Sequence, residues 1–361
     1  MIIFDATQVN GKPEDYEKLA RTIAEFMDSD MSMPLKENIR EGWESDILFR
    51  EQLEAKLVQG GNGKADLINL ADVCKRARNY LNDPASRALL LLAGEFNALR
   101  RLVPPDIPVL EELLKQAEEE VDGLPQNTRK DRLISLLDYN VAIYLRDVKV
   151  DYELSRAAQK RAALKAKVGG DKVNAAIANF CFALDSLSLA LQKGKSRNYQ
   201  NLFNQLLSRG KEICETFTDE TSTERTWKYL NVPAHVITSI FWANLKVGPE
   251  TLSYFTGLLE KVAEVDPLIG KSHQSTIIAC LAVSDFIKGK IETAMENIMD
   301  VNLEFHINIR VTVRLLQARV VAMCHYRLMA ILSYRGIING IHPMEQVRAI
   351  AERELVAAKK S

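Results

Sequence analysis

"FHINIRVTVRL", Phe305 to Leu315, decides between an all-helical chain and a mixed one. Apolar Phe305, Ile307, Ile309, Val311, Val313 and Leu315 alternate with polar His306, Asn308, Arg310, Thr312 and Arg314. A period of two and abundant β-branching are strand signatures. A lone strand cannot satisfy its own backbone, so it would need a pairing partner. The extended-looking segment Met1 to Val9 or a second subunit would have to supply one. The competing reading is a buried helix running on to Tyr334. Helical patterns on both sides favour the helix. The expected class is all-α, stacked antiparallel helix hairpins in a helical-repeat-like or two-lobed body, with room for one minor strand element.

The flanking patterns begin and end as helices should. "DPASRALLLLAGEFNALRRLV" starts on Asp83 as N-cap with Pro84 in the first turn. "DIPVLEELLKQAEEEVDG" stops at Gly123, and "DKVNAAIANFCFALDSLSLALQKG" runs from Asp171 to Gly194. Thr221 and Glu224 have capping-box spacing, and Pro249 opens the next helix. The closing "HPMEQVRAIAERELVAAKK" places acids early and lysines late, as the helix dipole prefers. Short links between long helices make sequential neighbours pack as hairpins. The softest later break, "TFTDETST" (Thr216 to Thr223), suggests a division. It gives an extended arm over 1–12, an N-terminal helical lobe over 13–217 and a C-terminal helical lobe over 218–361.

Composition excludes several classes. A chain that is 47% hydrophobic and 26% charged can build a core and is not a disordered polymer. The run read as most apolar, Arg319 to Tyr334, is broken by two arginines and a histidine, so no membrane association is expected. The N-terminus lacks a basic region ahead of its apolar residues, so no signal peptide is read there. Five scattered cysteines in apolar helical runs suggest buried free thiols, and with them a cytoplasmic setting. The net charge of −1 hides a split: residues 1–145 sum to −8 and residues 146–361 to +7. Opposed fields can steer head-to-tail association or reserve one half for an anionic partner.

Motifs for catalysis are scarce. "LVQGGNGKADL" (Leu57 to Leu67) offers Gly-Lys, but a phosphate loop needs glycine where Val58 stands and Ser or Thr where Ala65 stands. A glycine helix terminator followed by a tight turn accounts for it better. The histidines form no zinc-binding pair, and no metal or cofactor is expected. "RVVAMCH" (Arg319 to His325) resembles the Arg-x(4–6)-His pattern of HEPN-type ribonucleases, which are all-helical, with Val320 where those carry a polar residue. That resemblance implies His325 as the group needed for RNA cleavage. "IIACLAVSDFIKGKIETAMENIM" (Ile277 to Met299) resembles a tetratricopeptide helix pair through Leu281, Ala282, Gly289, Ala294 and Ile298. It departs at Asp285 and His306, and it implies a stacked helix hairpin.

Two basic constellations remain. His306, Arg310 and Arg314 align on one face of either a strand or a helix, and buried arginines demand a carboxylate or an anionic ligand. The stretch Arg156 to Lys172 carries Arg156, Lys160, Arg161 and Lys165, then Lys167 and Lys172, with hardly an acid. Internal pairing or a solvated helix face is the plain account of both; phosphate gripping is the functional one. Neither stretch interleaves aromatics, so RNA would be held through its backbone, without reading sequence. The leading expectation is a non-catalytic helical scaffold or adaptor that binds a protein partner and self-assembles. Ile2, Ile3 and Phe4 are candidates for an exchange arm. Second stands an RNA-coating protein of the kind that forms viral nucleoprotein filaments, and third a HEPN-like ribonuclease.

Overall fold

The computed structural model describes residues 13–28, 64–102, 104–194, 196–219, 221–267, 270, 273–299, 307–323, 327–339 and 345–360. Among these residues there is no strand. Phe305 to Leu315 resolves accordingly: α13 (Ile307–Met323) is one helix, while Phe305 and His306 lie outside the described residues. Thr312 and Val313 are both buried, as are Leu315 and Leu316. Burial of adjacent residues is incompatible with one face of a strand and natural for a helix sunk into a core. A helix also closes its own backbone hydrogen bonds, which an isolated strand cannot.

The other helices are α1 (Pro13–Asp28), α2 (Lys64–Tyr80), α3 (residues 84–99), α4 (Ile107–Asp122), α5 (Thr128–Asp147), α6 (Tyr152–Val168) and α7 (Lys172–Gln192). After them come α8 (Tyr199–Thr216), α9 (residues 222–243), α10 (Pro249–Glu260), α11 (Gln274–Ile287), α12 (Ile291–Met299), α14 (Arg327–Ile338) and α15 (Glu345–Lys360). The fold is all-α, with consecutive helices stacked as hairpins. Asp83 caps α3 by accepting from the Ala85 and Ser86 amides at 3.3 and 3.2 Å, with Pro84 in the first turn. Asp106 caps α4 through the Val109 amide at 3.2 Å, and Asp171 caps α7 through the Asn174 amide at 2.9 Å. These three starts fall where the cap residues of the sequence place them.

Two compact units partition the chain: Met1–Tyr144, Ala157–Ala178 and Asp219–Thr223 form the first, and Leu145–Arg156, Asn179–Thr218 and Glu224–Ser361 the second. In the first, Leu19, Ile23 and Met27 of α1 join Leu67, Leu70 and Cys74 of α2 in one apolar cluster with Leu89 and Leu90 of α3. The middle of α3 widens to a π-helix over Leu90–Phe96. Gly94 lies there, and a Cβ on it would sit inside the Cys74 thiol. Arg87 grips Glu120 of α4 with two prongs at 2.7 Å each.

In the second unit Phe180, Phe203, Phe241 and Phe255 are fully buried. Gly210 of α8 lets α9 approach; a Cβ there would stand 2.9 Å from a Val232 methyl. α11 and α12 pack across a turn at Gly289, whose φ of +79° suits glycine, forming the hairpin that the tetratricopeptide-like residues imply. α13, α14 and α15 pack in succession.

Among the described residues, α7 is the one helix long and apolar enough to cross a membrane by length and composition. Of its most apolar 18 residues, 61% are buried within the fold, so its apolar side chains face the protein interior.

Candidate functional site

The basic stretch forms α6 and the start of α7. One side of α6 is made for burial: Ala158, Ala162 and Ala166 are fully enclosed, and Ser135 donates to the Ala162 carbonyl at 2.8 Å. Small side chains let the neighbouring helix come close. Arg161 pairs with Asp138 at 2.7 Å and Lys165 with Asp131 at 2.9 Å. The Arg156 guanidinium lies 5.1 Å from the centre of the Phe182 ring, a cation–π arrangement. Three of the four basic residues singled out on this helix therefore have intramolecular partners. Burial of Asp138 raises its carboxyl above the ordinary range against the pull of Arg161.

The opposite side of α6 is open. Ala157, Arg161, Leu164 and Val168 recur at four, three and four residues, which on a helix falls within one narrow stripe. Leu164 is 61% exposed and Val168 58%. Lys160 and Lys167 stand along one edge of the stripe, exposed, with Lys172 exposed just beyond the helix end. Two large aliphatic side chains held side by side in water are a cost that a partner surface would remove. Sequence reading registered the lysines and missed the apolar pair between them. The spacing of Leu164 and Val168 was visible, but nothing in "RAALKAKV" says which face turns outward.

Arg314 is exposed on α13; Arg310 lies one turn earlier on the same helix, and His306 lies outside the described residues. Ile2, Ile3 and Phe4 also lie outside them, as do Leu57 to Gly63. Arg319 holds Glu354 of α15 at 2.6 Å, donates to the Phe241 carbonyl and lies over the Phe241 ring at 4.3 Å. It is a cross-link between α13, α15 and α9. His325, its partner in the ribonuclease-like pattern, lies outside the described residues.

No family model, curated protein or solved structure matches this chain.

A second constellation, unread in the sequence, is internal to the second unit. Asp185, the one acid of α7, is wholly buried and accepts from the Ser155 hydroxyl at 2.6 Å. Arg146 pairs with Asp147 at 2.8 Å and faces Asp185 at 3.8 Å. Burial pushes the Asp185 carboxyl up to about 6, against Arg146 and Ser155. Arg146 stays charged: burial opposes it, but Asp147 and Asp185 outweigh that and raise it further. Burial lowers His235 to about 4 and raises the Cys181 thiol to about 12. A thiol so displaced is not a nucleophile near neutrality. Cys74, Cys181, Cys214 and Cys280 are buried and outside any disulfide, and Cys324 lies outside the described residues. The lone acid in a long apolar helix was the signal for this centre.

Proposed function

We propose that this chain is a non-catalytic helical scaffold that holds a protein partner through the open face of α6. The observation that carries the reading is the exposed pair Leu164 and Val168 with Lys160 and Lys167 along one edge. An apolar centre with a charged rim is the anatomy of a protein-binding surface. Supporting it, the ionisable groups that do converge, around Arg146 and Asp185, are enclosed and engaged with one another. General acid–base chemistry needs such groups within reach of a substrate.

The RNA-coating reading draws on Lys160, Lys167 and Lys172, exposed cations that could meet phosphates. One titration separates the two. Leu164→Glu should abolish protein association, read by light scattering, without lowering the unfolding temperature. Fluorescent RNA should stay unbound. RNA binding that falls steeply with salt, is weakened by Lys160→Glu with Lys167→Glu and ignores Leu164→Glu would replace the scaffold with the RNA reading.

A further inference from the structure

The open stripe of α6 has a counterpart on the same chain. From Asp106 to Asp122 there are seven acids and one lysine, a net of −6, whereas residues 156–172 carry six bases and one acid, a net of +5. On α4, Ile107, Glu111, Glu118 and Asp122 fall on one face, and all four are exposed. Ile107 is a large apolar residue left in water at the head of that acidic line.

We propose that the open face of α6 docks on the acidic face of α4 in a second copy of this chain. The inference rests on the reading of α6 as a docking face and names its partner. Geometry favours it beyond bulk charge. Ile107 and Glu118 are eleven residues apart, and so are Ala157 and Val168. At about 1.5 Å rise per residue the two lines have equal length. Laid parallel, Ile107 meets Ala157, Glu111 meets Lys160, and Glu118 meets Lys167 and Val168. Apolar residues then lie between opposite charges; Lys115 and Lys165 fall level in this register, each paired within its own copy, with Glu119 at 3.8 Å and Asp131 at 2.9 Å. The contact joins unlike faces, so each copy retains one of each for the next, and the assembly closes as a ring or extends as a filament.

The test is a charge exchange. One variant carries Lys160→Glu with Lys167→Glu; the other carries Glu118→Lys with Asp122→Lys. Sedimentation velocity should show each alone associating at least about tenfold more weakly than wild type, with unchanged melting by circular dichroism. Mixed in equal amounts, the two restore association, because the reversed faces complement each other. Assembly of either variant as tight as wild type, or a mixture that stays monomeric, overturns the proposal. A photo-reactive benzophenone side chain replacing Leu164, in purified protein and again with cell lysate added, separates this failure from that of the scaffold reading. Adducts to residues 107–122 of another copy support self-docking. Adducts only to a different protein overturn self-docking and leave the scaffold intact, and no protein adduct in either setting overturns both.

Discussion

Asp185→Asn should tilt the pH dependence of stability without touching the surface. The folded protein holds two groups with opposite displacements over one pH range. Asp185 moves from an ordinary 3.8 up to about 6, so between these values the folded chain keeps a proton that the unfolded chain has released. Stability falls as pH rises through that window, by about 3 kcal/mol, and stays lower above it. His235 moves from 6.5 down to about 4, so there the unfolded chain binds the proton and stability rises with pH, also by about 3 kcal/mol. The two slopes nearly cancel in the wild type. The charges facing Asp185 are those of Arg146, Asp147 and Arg156. With Asp185 removed, the His235 slope is no longer offset. The stability of Asp185→Asn relative to wild type should climb by about 3 kcal/mol from about pH 4 to 6.5. His235→Phe should do the reverse, keeping the ring contact with Phe180. Urea unfolding at a series of pH values reads both, and taking differences cancels every other titrating group. Parallel curves for Asp185→Asn and wild type would refute the reasoning.

Three further outcomes are expected. Gly94→Ala should destabilise by about 1–2 kcal/mol, since overpacking against Cys74 exceeds the roughly 1 kcal/mol gained in helix propensity, and Cys74→Ala in the same chain should recover most of it; urea melts of the double-mutant cycle decide. Arg319→Met should cost about 2–3 kcal/mol, because Glu354 and the Phe241 carbonyl lose their donor; thermal unfolding measures it, and an unchanged midpoint counts against the cross-link. Asp83→Ala should cost about 1–2 kcal/mol through the lost cap and the lost pair with Arg129 at 2.8 Å. Hydrogen exchange should show that loss as fraying confined to the first turn of α3.

The helices were legible because their ends are written in local chemistry. Asp83, Asp106 and Asp171 cap where side-chain oxygens reach backbone amides, and Gly289 turns where only a residue tolerant of positive φ is comfortable. Phe305 to Leu315 was ambiguous for a physical reason. Its alternation is a local pattern, whereas burial of both Thr312 and Val313 depends on what packs around α13. The π-helical widening of α3 left no mark beyond Gly94. The site was half legible: the cations of α6 were evident, but the pairing of Arg161 with Asp138 and Lys165 with Asp131 is set by a neighbouring helix. The outward turn of Leu164 and Val168 depends on the same packing.

Hydroxyl-radical footprinting of Leu164 and Val168 across a dilution series tests the docking face most directly. Both side chains should oxidise freely in dilute protein and become protected as association sets in, while exposed Ile68 and Val356 stay equally reactive throughout. Association that leaves Leu164 and Val168 as reactive as before would place the binding surface elsewhere and contradict the account.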